Sequence, residues 1–320
     1  MTVQRLGGPD VLELTEAPVP EPGPGMVRVA VRAIALNFRD VQQRRPTTGT
    51  PCPFIPGSDF AGEVVALGPG VRSLRLGQRV VGVVLSGAYA DQLVASADAL
   101  LPIPDEVGDA EAAVLPVAGL SASFLCTIAN LPGGATVVTY AAAGGLGCFL
   151  GGCLAAAGIR SIGLTSTPAK AEIADKAGHA EVIVYRDVDP VAAVRELTDG
   201  RGVDAVFDSV AGPEFDRSFR MAADGGLVVL CGRAAGEPDL GRLAHDFIGA
   251  RRNLALREFY LASHLDAHLD ELPVRLAELM AGMSSRRFHV PITEFPLDDV
   301  RRAHELLESG VTTGKLVLRP

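Results

Sequence analysis

From residue 118 to residue 260 the chain alternates strictly between strand-like runs and helical segments, and no other feature constrains the fold as strongly. The strands read "ATVVTY", "SIGLTS", "EVIVYR", "VDAVFDSV", "GGLVVLCG" and "NLALREFY". The intervening helices carry legible ends. Thr167 stands before Pro168 as an N-cap, Gly178 follows that helix, and Asp189 with Pro190 repeats the start signal before "VAAVRELTDG". Strands separated by single helices pair in parallel through right-handed crossovers, so this region is expected to form a doubly wound sheet.

Within it, "TYAAAGGLGCFLGGCLAAAG" (139–158) is almost entirely small and apolar. The glycine spacing alone fits either a loosely packed Ala/Gly helix or a phosphate cradle. Its context selects the cradle, because "ATVVTY" precedes the turn and a helix follows it. Ala141, Gly144 and Gly147 then form A-x-x-G-x-x-G, where small residues let the backbone approach a pyrophosphate at the helix N-terminus.

The flanking regions differ in style. Residues 1–117 hold short β-branched runs such as "MVRVAVRAIAL" and "GEVVALG" between Gly and Pro. Residues 261–320 read as two amphipathic helices, near 265–282 and 297–308, and a last strand, "KLVLR"; the segment is too small for a domain and is expected to complete the first one. The predicted domains are therefore 1–117, completed by 261–320, and 118–260. A length of 320 residues agrees with two domains.

A net charge of −9 argues against nucleic acid or an anionic membrane as partner. Five scattered cysteines fit free thiols in a reducing compartment. With neither a signal pattern nor a membrane-spanning run visible, a soluble cytoplasmic protein is expected.

Several longer stretches resemble the medium-chain dehydrogenase/reductase superfamily, in its zinc-independent quinone oxidoreductase branch, which includes zeta-crystallin. They are "GGPDVLELTEAPVPEPGPGMVRVAVRAIALNFRD", "IPGSDFAGEVVALGPGV", "GQRVVG", "GAYADQLV", "LPVAGLSA", "AAAGGLG", "VDAVFDSVAG" and "AHELLESGVTTGKLVL", spread nearly end to end. The resemblance implies an α/β protein with a GroES-like β-rich catalytic domain, a doubly wound Rossmann domain and a cleft between them. It also implies a homodimer, joined near the "NLALREFY" strand. Zinc-dependent relatives need Cys, a Gly-His-Glu segment and a further ligand. Here Asn37 stands at the Cys position and "GSDFAGE" replaces the Gly-His-Glu segment, so no catalytic metal is expected.

An NAD site commonly places a carboxylate at the end of the second strand, on the ribose 2′-OH. This chain has Thr165 and Ser166 there, and the resemblance adds Lys170 and Tyr185 as holders of a 2′-phosphate. NADP(H) is therefore the expected cofactor. By the same resemblance Ser121 meets the carboxamide, while Gly144, Gly145, Leu146 and Gly147 present backbone to the pyrophosphate. Ser209 faces the adenosine side, Phe259 and Leu261 cover the nicotinamide, and Lys315 reaches the cofactor. Glu258 departs from the glycine usual before the phenylalanine.

Without a metal, hydride transfer favours acceptors that already delocalise charge, such as quinones and enones. Asn37 is the polar candidate beside the nicotinamide and Asp40 a candidate to orient it. The tyrosine that the family often carries shortly after this segment is missing, and the loop 46–56 is expected to wall the substrate site. Arg44 and Arg45 read as solvated surface, as do His264 and His268 on one helix face. "LNFRDV" is also a phrase of polyketide-synthase enoyl reductases, so a stand-alone enoyl reductase acting on an enoyl thioester is an alternative. A crystallin-like NADPH-binding protein without turnover is another.

Overall fold

In a computed structural model describing residues 1–320, apart from the side chains of Leu240 and Asp246, the alternating region folds as one six-stranded parallel sheet. Its order is Glu181–Val184, Arg160–Thr165, Thr136–Thr139, Val203–Asp208, Ala222–Leu230 and Ala255–Glu258. Every neighbouring pair is parallel. The order reverses between Thr136–Thr139 and Val203–Asp208, the position at which doubly wound sheets open a crevice beyond their carboxyl ends. Val138, Ile162, Leu164, Val206 and Val228 carry the core of this sheet. Each such side chain, fully buried, stabilises the fold by about 1.5–3 kcal/mol.

The chain divides into two units. One comprises Met1–Leu120, Asp270–Arg287 and Pro291–Pro320, the other Ser121–Leu269 and Phe288–Val290. The first unit is built on a seven-stranded sheet in which Ile292–Pro296, Lys315–Arg319, Met26–Ala35, Asp59–Leu67, Arg79–Val83 and Leu100–Pro102 follow one another, and Gln92–Ser96 also pairs with Met26–Ala35. Met26–Ala35 runs antiparallel to both Asp59–Leu67 and Lys315–Arg319. Its register sets Ala35 opposite both Asp59 and Val317. The chain just after Ala35 therefore lies beside the first residues of two neighbouring strands.

The helix expected near 265–282 is two helices, Leu261–Ala267 and Leu272–Ser284. Pro273 is the reason. Proline lacks the N–H and clashes with the preceding turn, so it is tolerated only in the first turn of a new helix, where it stands. The last helix, Val300–Glu308, starts after a short 3-10 turn at Leu297–Asp299. Among the described residues no helix is long and apolar enough to cross a membrane.

Candidate active site

The parallel sheet contributes the glycine turn. Ala141 adopts φ 49°, Gly144 is the extended N-cap, and the helix Gly145–Ala156 begins behind it. A Cβ on Gly147 would lie 2.4 Å from the Ala141 carbonyl oxygen and 2.6 Å from Ala142 Cα, so only glycine permits this approach of helix to strand. The first-turn N–H groups of any helix lack intrahelical acceptors, and here Gly145 and Leu146 carry them. Together with the positive end of the helix dipole they form an anion cradle. Ser209 follows the neighbouring strand across the point of reversal. The buried Asp208 carboxylate shapes its turn by accepting from Val210 N–H, Ala211 N–H and Ser218 Oγ. Burial raises the pKa of Asp208, and these donors oppose the rise.

The end of the second strand gathers Thr165, Ser166, Lys170 and Tyr185. Tyr185 N–H donates to the Thr165 carbonyl at 3.0 Å, setting the two strand ends side by side. Thr167 caps the next helix by accepting from Lys170 N–H at 3.3 Å. The Thr165 hydroxyl is buried yet has no hydrogen-bond partner among the described residues. Lys170 is half-buried, and desolvation, then the Arg186 guanidinium, lowers its pKa. Arg186 thus adds a second cation that the sequence reading missed, although it directly follows Tyr185 in "VIVYR". Two cations and an unsatisfied hydroxyl fit a phosphate group.

The remaining candidates of this unit are more dispersed. Ser121 lies in the first turn of Leu120–Ala129 and is buried. Phe259 is buried, with its N–H on the Leu230 carbonyl at 2.9 Å, and Leu261 opens the following helix. Glu258, out of place against the usual glycine, forms an ion pair with Arg233. His264 and His268 are half-buried, so their helix face is only partly solvated. Their rings stack at 4.0 Å, and His264 meets the edges of Phe124 and Phe259. Stacking on aromatic rings removes apolar ring edges from water.

In the first unit, the antiparallel register brings Asn37, Asp59 and Lys315 together. Asn37 Nδ2 donates to Asp59 Oδ2 at 3.0 Å and to the Ala35 carbonyl at 3.2 Å. Its Oδ1 accepts from the Lys315 ammonium at 2.6 Å, and the same ammonium donates to the Leu36 carbonyl at 2.5 Å. The orientation of the Asn37 amide follows from these partners. Asp40 receives the Asn37 backbone N–H at 2.9 Å and the Tyr89 hydroxyl at 3.2 Å. Burial raises the Asp40 pKa, opposed first by the Asn37 N–H and then by the Lys315 charge.

Behind Asp40 the network continues through residues the sequence reading did not single out. Arg44 Nε donates to His304 Nδ1 at 3.2 Å, which leaves His304 Nε2–H to donate to Tyr89 Oη at 3.1 Å. Arg44 also reaches the Gly7 carbonyl at 2.8 Å and pairs with Glu308. Arg44 is therefore not the solvated surface residue expected of an arginine pair. It is 1% exposed because His304, Gly7 and Glu308 supply acceptors that water would otherwise provide. Arg45 stays partly exposed, over the Phe38 ring. Desolvation, then the Arg44 charge, pushes the His304 pKa down to about 3, so this imidazole is neutral at physiological pH. Asp59, Tyr89 and His304 sit within "IPGSDFAGE", "GAYADQLV" and "AHELLESG", the stretches carrying the resemblance, but their meeting depends on register.

Burial raises the Asp59 pKa from 3.8 to about 7, with Lys315 and the Asn37 amide opposing. A carboxyl with a raised native pKa contributes stability below its unfolded pKa and loses it as pH rises through the native one. Asp59→Asn should therefore gain about 2–4 kcal/mol of stability relative to wild type as pH rises from 4 to 7. Urea denaturation of both proteins at several pH values measures this, and parallel pH curves would contradict it.

A GroES-like sheet and a doubly wound parallel sheet in one chain define the medium-chain dehydrogenase/reductase class. The family described as alcohol dehydrogenase GroES-like domain matches residues 23–105, and that described as zinc-binding dehydrogenase matches 177–318. The chain is 35% identical to a quinone oxidoreductase of Pseudomonas aeruginosa over 98% of its length and 97% of that protein. It is 31% identical to a 2-haloacrylate reductase of Burkholderia over 99% of its length and 98% of that protein. The solved structure of Escherichia coli quinone oxidoreductase complexed with NADPH superimposes with TM-score 0.92 at 31% identity, covering 100% of this chain and 99% of that one. The chain belongs to the quinone oxidoreductase branch of the medium-chain dehydrogenase/reductase superfamily.

Zinc does not suit the donor set at Asn37. The amide oxygen already accepts from the Lys315 ammonium, whose charge repels a further cation. Among the described residues no three His, Cys, Asp or Glu side chains group to hold a metal.

Proposed function

We propose that the protein is a cytoplasmic NADPH-dependent reductase that passes hydride to quinones or α,β-unsaturated carbonyl compounds. The observation that carries this reading is the second strand end, where the unsatisfied Thr165 hydroxyl, Lys170 and Arg186 stand without the carboxylate of an NAD site. NADPH when bound supplies the hydride. The protein's part is to hold the pyrophosphate at Gly145 and Leu146, hold the 2′-phosphate with Lys170 and Arg186, and keep Asn37 rigid. The acceptor class follows from the Asn37 donor set. With an amide and an ammonium in place of metal ligands, the acceptor must spread its own developing charge. The named activities of the Pseudomonas and Burkholderia relatives, on a quinone and on a haloacrylate, agree with such acceptors.

The strand Ala255–Glu258 ends the sheet order and pairs with Leu227–Leu230. A second copy adding to its outer edge would satisfy the remaining backbone groups, and we place a homodimer contact there.

The test is NADPH consumption over quinones, enones and enoyl thioesters, with titration of both nicotinamide cofactors. Quinones or enones should turn over, and simple alcohols should not be oxidised with NADP⁺ at comparable rates. Lys170→Ala should weaken NADPH by roughly 10–150-fold, the value of one charge-assisted bond, and leave NADH nearly unchanged. Equal losses for both cofactors, or alcohol oxidation at quinone-like rates, would refute the reading.

A further inference from the structure

We propose that His179 is a positioning residue that braces the glycine turn from beneath, setting the N–H groups that receive the pyrophosphate. This rests on the nicotinamide-cofactor reading above. His179 follows the helix Pro168–Lys176 and is 2% exposed. Its Nδ1 lies 2.6 Å from Ser161 Oγ and its Nε2 lies 3.1 Å from the Gly147 carbonyl oxygen. A carbonyl only accepts, so Nε2 carries the proton and Nδ1 accepts from the serine. One imidazole thus joins the second strand, at Ser161, to the turn, at Gly147.

The surroundings are shaped for that ring. A Cβ on Gly163 would stand 3.1 Å from His179 Cγ and 2.8 Å from Ala142 Cβ, and one on Gly151 would stand 3.1 Å from His179 Nε2. Glycines on the strand and on the helix leave the space that the imidazole fills. Gly147 is itself the residue that tolerates no Cβ, so the ring bonds to the tightest point of the turn. Desolvation pushes the His179 pKa down to about 4, and the ring stays neutral, in this one tautomer, throughout the neutral pH range. The brace holds what the two cofactors share and does not touch the 2′-phosphate.

His179→Leu keeps bulk and removes both polar atoms, while His179→Gln keeps a donor at the Nε2 position. In the cofactor-free protein, amide exchange over residues 144–150 should quicken about tenfold in His179→Leu and stay near wild type in His179→Gln, with residues 203–208 and 222–230 unchanged. The leucine variant should bind NADPH and NADH about tenfold more weakly, by the same factor for each, unlike Lys170→Ala. Should His179→Leu not fold, Ser161→Ala tests the same brace, with about threefold losses expected for both cofactors. Unchanged exchange at 144–150, or a loss confined to NADPH, would overturn the proposal. A wild type that binds neither cofactor defeats the cofactor reading and the positioning role together. A wild type that binds both, beside a leucine variant that binds them equally well, defeats the brace alone.

Discussion

Lys315→Met should lower the stability of the protein by about 3–5 kcal/mol at pH 8, the range found when one partner of a buried charge cluster is removed. Lys315 is 5% exposed, and its ammonium donates to Leu36 and Asn37 and faces two buried carboxyls, Asp40 and Asp59. Methionine fills most of the volume, so the loss reports charge and hydrogen bonding more than a cavity. Without the cation both carboxyls are harder to ionise, and their native pKa values rise further. Carboxyls of raised pKa regain stability on protonation, so the deficit should shrink as pH falls from 8 towards 4. Urea denaturation at pH 8 and pH 5 checks both magnitude and sign. A deficit that is equal at the two values would mean that Lys315 acts through packing alone.

Gly147→Ala should weaken NADPH and NADH alike by about 100-fold or more. The added methyl has no free space and no flexible side chain to displace, because its nearest neighbours are backbone atoms of Ala141 and Ala142. Relief requires the helix start to move away from the strand, which carries the Gly145 and Leu146 N–H groups with it. Two hydrogen bonds to a charged group contribute about 3–6 kcal/mol together, so even partial misplacement reaches that factor. Overpacking should also cost about 1–3 kcal/mol of stability. Isothermal titration with both cofactors, beside a thermal melt, separates the two effects. Retention of wild-type affinity would show that the turn is not where the pyrophosphate sits.

Both variants probe features of different legibility. The glycine turn could be read because its signals are local: a β-branched run, small residues that permit a tight turn, then a helix. The caps at Thr167 and Asp189 were legible for the same reason, and both side chains accept from backbone N–H groups as the residue types require. Pro273 is an equally local signal, and it divides the expected helix near 265–282 into two. Arg44 shows the opposite limit. Nothing near "QQRRP" distinguishes a buried arginine from a solvated one, since its acceptors lie at Gly7, His304 and Glu308.

The amino-acid sequence by itself determined the alternation of strands and helices, the parallel sheet that follows from it, the glycine turn and the missing carboxylate at Thr165–Ser166. These rest on φ/ψ preference, capping and side-chain spacing, which act over a few residues. Tertiary structure decided the rest. Asn37 and Lys315 are 278 positions apart, Tyr89 and His304 are 215 apart, and His179 and Gly147 are 32 apart. Hydrogen bonds over such separations exist only once strand register and helix packing place donor and acceptor within about 3 Å of each other. A buried polar group must then be satisfied by whatever partners that register brings, and no local pattern of residues records which partners those are.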